Sequence, residues 1–315
     1  MPLRHQLCRN MSDVFHAGER EVQDKTGETH LADAIKGLIT STIPQGAINF
    51  VENQPMVIVG SRNAAGEPWA SLLIGNFGFV KVPDPGAIVF DTRRIISDES
   101  DIFFSNLHDD DQIGSLFIEL SSRKRLRVNG TCRHEGAFIQ LSIQHAYPNC
   151  PKYIQRRVIS MPEYFEKVAA VTTQGTGLTP AAIAWIKDAD TLFVASAGAN
   201  GGLDASHRGG NPGFVQVIDD TVLKIPDYPG NSLFNTLGNI VQNPKVGLLF
   251  IDFDKRETLQ LTGTASLLFD QTSEDDLLRT RGTGRYWLFN ALRWIHTIDP
   301  HNVQWKFLEY SRFNP

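Results

Sequence analysis

Residues 113–132 read IGSLFIELSSRKRLRVNGTC, and residues 246–265 read VGLLFIDFDKRETLQLTGTA. The offset is 246 − 113 = 133. Across it Gly114, Leu116, Phe117, Ile118, Arg123, Leu126, Gly130 and Thr131 recur as Gly247, Leu249, Phe250, Ile251, Arg256, Leu259, Gly263 and Thr264. Upstream, GFVKV at 78–82 returns as GFVQV at 213–217, an offset of 135. Two hairpins that merely share strand composition would not keep two blocks in one order at nearly one offset. The period is far longer than the roughly 20–50 residues of solenoid repeats, so it points to duplication of a whole domain.

Each copy reads with the same grammar. A helical lead-in covers about 28–42 and again about 162–188. MVIVGSR (56–62) and WASLLIG (69–75) flank Ala-Ala-Gly-Glu, a hairpin signal. AIVFD (87–91), VGLLFID and TLQLTGTASLLF (258–269) carry the β-branched and aromatic bias of strands. Short helices are expected near 100–107 and 231–241, the second ending at Asn243-Pro244, because the residue before proline is pushed out of the helical region. The aromatic run RYWLFNALRWIHTI (285–298) reads as core first and as a ligand wall second. The expected fold is mainly β (α+β), with two tandem β-barrels and short flanking helices. The divisions are 1–27 (tail and arm), 28–160 (first copy) and 161–315 (second copy).

Composition narrows the function. The 315 residues are 41% hydrophobic and 21% charged, as in an ordinary globular chain of roughly two domains at about 150 residues each. Net charge is 30 − 35 = −5, so no whole-chain basic surface marks a nucleic-acid partner. Cys8, Cys132 and Cys150 are too scattered for a disulfide framework or a structural zinc site, and no metal site is expected. The N-terminus MPLRHQLCRN reads as a loose tail without the apolar stretch of a secretory signal, and no run of about 18 apolar residues marks a membrane span. A cytoplasmic setting is expected.

Comparing the copies residue by residue locates the chemistry. SLLIGNFGFVKV from Ser71 aligns with SHRGGNPGFVQV from Ser206. Ser71 pairs with Ser206, Leu73 with Arg208, and Ile74-Gly75 with Gly209-Gly210. On the next strand Val89 stands opposite Lys224. Arginine offers a planar fork to an oxyanion, serine a hydroxyl, and glycine lets backbone N–H groups approach. IPDYPGNS (225–232) then opens a helix, so Gly230-Asn231-Ser232 are expected to supply cap donors at its positive end. The alternative is a surface turn with an incidental arginine. The run Arg123, Lys124, Arg125, Arg127 reads by default as a solvated face, with an acidic partner or a nicotinamide phosphate as the other reading. His16 and His207 stand isolated and read as structural, and Cys150 as a small buried hydrophobe.

These residues resemble the pyridoxamine 5′-phosphate oxidase-like family of FMN-binding split barrels, in duplicated form. The resemblance rests on FHAGEREVQ (15–23), PWASLLIGNFGFVKVPDPG (68–86), RKRLRVNG (123–130), YPNCPKYIQRR (147–157), SHRGGNPGFV (206–215) and IPDYPGN (225–231). It implies six-stranded antiparallel split barrels with FMN between them. Carried over, Ser206, Arg208 and Gly209 face the phosphate and ribityl chain, and Lys224 and the turn with Asp227, Asn231 and Ser232 complete the cradle. From the other half, Lys152, Tyr153, Gln155 and Arg156 approach the flavin. If 149–157 is helical, Lys152, Gln155 and Arg156 share one face. Lys152 and Arg156 read equally well as a solvated basic face. The chain departs from the family at Gln216, where relatives carry a basic residue, and at Ser232 and Asn235, where they carry arginine and aspartate. The implied activity is an FMN-dependent oxidoreductase with a small-molecule redox substrate and NAD(P)H as a candidate donor. No catalytic side chain is identified, and a homodimer stays open. The rival readings are a non-catalytic flavin carrier and a degenerate barrel serving as an interaction module.

Overall fold

The computed structural model describes residues 13–162, 169–298 and 303–315. The expected tail at 1–10, with Cys8, and part of the 162–188 lead-in lie outside them.

The first sheet contains β1 (Met56–Arg62), β2 (Pro68–Ile74), β3 (Val80–Asp84), β4 (Ala87–Asp91), β5 (Gln112–Glu119), β6 (Lys124–Glu135) and β7 (Phe138–Pro148), in the order β2-β1-β5-β6-β7-β4-β3. Two connecting strands follow, β8 (Arg156–Ser160) and β9 (Val171–Gly175). The second sheet contains β10 (Thr191–Ala197), β11 (Leu203–Gly209), β12 (Gln216–Val217), β13 (Val222–Pro226), β14 (Lys245–Asp252), β15 (Glu257–Leu268) and β16 (Tyr286–Ile298), in the order β11-β10-β14-β15-β16-β13-β12. The two orders are the same, strand for strand. β9 adds to β16, and β8 pairs with β17 (Gln304–Glu309). Named pairs throughout are antiparallel. The mainly-β, tandem split-barrel expectation holds, and a short seventh strand, β3 or β12, joins the six expected in each copy.

Alternation along the strands builds three cores. Val57, Val59, Phe90, Phe117 and Leu141 fill the first barrel. Leu192, Val194, Leu248, Trp287 and Phe289 fill the second, so the 285–298 run is core over its first half. Residues of opposite parity, Ile58, Leu72, Leu116, Phe193, Leu249 and Ile251, form a third core between the halves. These central strands are buried on both faces, which explains their unbroken apolar runs.

The recurring glycines mark how closely the halves cross. A Cβ on Gly114 would lie 2.5 Å from the Asp204 carbonyl carbon of β11, and one on Gly247 2.5 Å from the Pro68 carbonyl oxygen of β2. Gly130 and Gly263 sit at matching register shifts, between Asn129 and Gly130 in β6 and between Thr262 and Gly263 in β15.

The helices adjust the expected boundaries. α1 (Ala17–Thr26) opens with a reciprocal cap between His16 and Glu19, and α2 (Thr29–Ile35) follows. α3 (Ile48–Glu52) and α4 (Ile102–Asn106) belong to the first half. α5 (Pro180–Asp188), α6 (Asn235–Gln242) and α7 (Glu274–Thr280) belong to the second, and α6 stops at Asn243 as expected before Pro244. α1 lies against α6: Asn235 Nδ2 donates to Glu19 Oε1 at 2.9 Å, His16 Nε2 bonds Asn239 Oδ1 at 3.0 Å, and Gln23 Nε2 donates to the Leu233 carbonyl at 3.2 Å. The segment 149–157 is not helical. It is a turn followed by β8, with Pro151 restricting Cys150 and Tyr153 at φ +66°. No described helix is long and apolar enough to cross a membrane.

Candidate cofactor cleft

Between the halves lies a cleft of about 810 Å³, open mouth included. The first half supplies Arg125 and Arg127 from β6, two residues apart and therefore on one face, and the 149–153 segment. The second half supplies His207, Arg208 and Gly209 from β11 and the loop 226–236.

The cations are unevenly compensated. Arg208 Nη1 meets Asp227 Oδ1 at 2.7 Å, and Asp227 also holds Arg285 at 3.0 Å. Arg285 in turn reaches Glu28 at 2.8 Å. Arg127 meets Asp204 at 3.2 Å. Arg125 has no carboxylate partner among the described residues; its Nε donates to the Cys150 carbonyl at 2.9 Å. Burial, reinforced by the charge of Arg127, pushes the Arg125 pKa down to about 9. Burial also raises the Asp204 pKa, against the pull of Arg127. Several buried polar atoms in the cleft wall have no partner: Arg127 Nε, Arg208 Nε, Asn149 Oδ1 and both ring nitrogens of His207. Unpartnered buried polar atoms are costly, so their concentration at one place marks a site shaped for a polar ligand.

Two loops shape the mouth with strained backbone. Ser232 and Phe234 have φ of +61° and +56°, and Tyr153 faces them. Tyr153 donates from its hydroxyl to the Pro229 carbonyl at 3.0 Å, and its ring lies 4.8 Å from that of Tyr228.

The structure brings together Lys152, Tyr153, Arg208, Gly209, Asp227, Asn231 and Ser232 on the cleft wall. Gly209 has a packing reason as well, because a Cβ there would collide with the Tyr153 carbonyl oxygen. Ser206 stands behind the wall, its hydroxyl 2.9 Å from that of Thr236. Three more expected residues do not line the cleft. Lys224 points away, because its neighbours Leu223 and Ile225 fill the barrel core; it pairs with Asp276 at 3.0 Å and lies over the Tyr286 ring. Gln155 is interior and ties the C-terminal segment to the Gly210 turn, accepting from Ser311 N at 2.8 Å and donating to the Gly210 carbonyl at 3.1 Å. Arg156 runs along the outer surface to the Ser121 carbonyl and Glu309. With no helix at 149–157, the shared face expected for Lys152, Gln155 and Arg156 does not exist. The turn 230–232 does not cap α6 either: α6 begins at Asn235, and Ser232 donates its hydroxyl to Glu28 at 2.6 Å.

Arg125, Arg127 and His207 are the cleft residues that the sequence reading undervalued. The signal was the alternation of Arg125 and Arg127 in a strand whose opposite parity, Leu126 and Val128, is core.

The pseudo-equivalent cleft on the other side of the interface is different. At the corresponding offsets Leu72 replaces His207, Leu73 replaces Arg208, and Thr258 and Gln260 replace Arg125 and Arg127. Only about 270 Å³ is left there, and Val303 and Trp305 form part of its wall. Among the described residues no group of three or more His, Cys, Asp or Glu could hold a metal.

The sequence profile of the pyridoxamine 5′-phosphate oxidase family matches residues 178–295. No curated protein matches the chain. Similar solved structures include HupZ of Group A Streptococcus, at 16% identity and TM-score 0.32, covering 39% of this chain and 96% of that one. Another is a putative pyridoxamine 5′-phosphate oxidase of Lactobacillus delbrueckii, at 18% identity and TM-score 0.31, covering 38% of this chain and 93% of that one. A third, an F420 reductase, is 16% identical with TM-score 0.27, covering 35% of this chain and 93% of that one. Residues 178–295 of this protein are thus similar to the pyridoxamine 5′-phosphate oxidase family.

Proposed function

We propose that this protein is a tandem duplication of one split barrel that binds a single FMN in the cationic cleft and works as a flavin-dependent oxidoreductase. The observation that carries this reading is the contrast between the two pseudo-equivalent clefts. One gathers Arg125, Arg127, Lys152 and Arg208 around unpartnered polar atoms, and the other is nearly filled, with Leu72, Ile74, Ile251, Val303 and Trp305 beside Arg256, Glu257 and Thr258.

The donor set fits a phosphorylated flavin. Arg208, already oriented by Asp227, and Arg125, which lacks a carboxylate, would hold the phosphate with Lys152. The 229–232 loop, Asn149 and the Tyr153–Tyr228 pair would border the rest of the cofactor. A bound flavin supplies the redox chemistry, and the protein supplies binding, orientation and electrostatics. Arg125 and Arg127 place positive charge in a low-dielectric wall, which favours an anionic occupant. Arg125 and Arg127 come from one half and Arg208 from the other, so the site is complete only when the halves are docked. A small-molecule substrate, an NAD(P)H donor and a cytoplasmic setting accord with this reading, as do the free thiols Cys132 and Cys150.

The test is titration of the purified protein with FMN, followed by quenching of flavin fluorescence, and then addition of NADH or NADPH without oxygen. Saturable binding with bleaching of the flavin band is expected. Failure to bind FMN or riboflavin overturns the reading. Binding without reduction by either donor, while dithionite still bleaches the bound flavin, leaves a flavin carrier.

A further inference from the structure

His207 is the one imidazole among the described residues of the cleft wall, and the fold leaves it in an unusual position. It is buried, its Nδ1 and Nε2 both lack a partner, and its only close ring contact is edge-on with Phe193 at 5.5 Å between centroids. Four cations on three strands act on it. β6 contributes Arg125 and Arg127, β8 contributes Arg157, and its own strand contributes Arg208. Three of these have acid partners: Asp204 for Arg127, Asp190 for Arg157 at 2.6 Å, and Asp227 for Arg208. Arg125 does not, so the field at the ring is net positive. Cys150, Lys152 and Tyr153 are the ionisable groups of the 149–153 wall, and Asp227 and Tyr228 face them from the loop after β13. Burial first, and then these four guanidinium charges, hold the His207 pKa well below its usual range.

We propose that His207 binds the phosphate by taking up one proton as the dianion enters the cleft. This rests on the cleft being the cofactor-phosphate site. A neutral imidazole is the form the unliganded cleft tolerates. Two negative charges beside it reverse the local field, and the imidazolium gains an acceptor for a nitrogen that otherwise has none. The proton comes from solvent and forms one N–H bond, and nothing else changes covalently. His207 therefore distinguishes a dianion from a neutral or singly charged ligand, which arginines alone would bind without proton exchange. By linkage, affinity for a non-titrating dianion falls up to tenfold per pH unit between the free and bound pKa of the ring.

Sulfate is the probe, because it stays doubly charged throughout. Calorimetric titration of the whole protein at pH 7, in buffers of different ionisation enthalpy, should show uptake approaching one proton per sulfate. His207→Gln should bind sulfate with no uptake and a flat pH dependence. NMR of the wild-type histidine rings gives a second readout that needs no variant: His207 should pass from neutral to protonated on saturation with sulfate. Sulfate binding with the ring still neutral overturns the proposal and leaves the FMN reading intact. Proton uptake with sulfate but no binding of FMN supports His207 and overturns the FMN reading. A cleft that binds neither anion overturns both.

Discussion

Arg208 and Asp227 lie 2.7 Å apart across the mouth of the cleft, and the same carboxylate holds Arg285 at 3.0 Å. One buried acid thus orients a cation from the edge strand β11 and ties it to the loop after β13. Arg208→Ala removes a charge-assisted contact worth roughly 1.5–3 kcal/mol, so FMN affinity should fall about 10- to 100-fold with the fold intact. Asp227→Asn should cost more stability than Arg208→Ala, about 3 kcal/mol, because it takes the carboxylate from Arg208 and leaves Arg285, which is nine-tenths buried, with Glu28 alone. Fluorescence titration measures the first effect and urea denaturation the second. Equal FMN affinity in Arg208→Ala and wild type would remove Arg208 from the cradle.

The second cleft should stay empty. Equilibrium dialysis should find one FMN per chain, not two, since Leu72, Ile74, Val303 and Trp305 fill most of the second cleft and Arg256 is the one cation among its lining residues. Trp305→Ala opens a cavity beside Phe253, whose ring centroid lies 5.6 Å away, and should cost about 3 kcal/mol without creating a second flavin site. A stoichiometry of two would contradict the asymmetry.

Gly114→Ala and Gly247→Ala should each destabilise the protein by at least about 1–3 kcal/mol, because the new methyl meets backbone of the other half, which cannot step aside. Gly37→Ala, with no atom within 4 Å of the added carbon, is the control and should change stability little. Thermal denaturation compares the three.

Stability should also depend on pH through Asp101. Its carboxyl is buried, accepts from Ser71 Oγ at 2.6 Å and caps α4 through Phe103 N at 2.8 Å. Burial raises its pKa from 3.8 to about 6. The folded state therefore holds this proton more tightly than the unfolded state. The contribution is full below pH 3.8 and lost as pH rises to about 6. Asp101→Asn keeps a capping side chain and removes the titration, so its stability profile should be flatter than the wild type's between about pH 4 and 6. An identical slope in the two proteins would place the titration elsewhere.

The tandem sheets were legible from strand-level periodicity and from the recurrence of Gly114 and Gly247, because backbone crossings tolerate nothing larger. Arg208 was legible because its counterpart is Leu73. Lys224 opposite Val89 carried the same kind of signal and was misleading: Ile225 occupies the core, so the alternation of the strand turns Lys224 outward to Asp276. Gln155 and Arg156, carried over from the resemblance, lie off the cleft wall, and the helix that would have given them a shared face with Lys152 is absent. A proline and a left-handed Tyr153 turn that segment into β8 instead.

The sequence by itself determined the repeated strand order, the close-contact glycines and the excess of cations in one copy over the other. These depend on neighbours in the chain or on comparing one copy with the other. Only the tertiary structure decided that Arg125 and Arg127 of the first copy join Arg208 of the second, that His207 lies unbonded among them, and that the equivalent cleft is closed in part by Val303 and Trp305. The reason is physical. A residue's electrostatic surroundings come from chain segments up to hundreds of positions away, and their placement depends on how the two barrels dock.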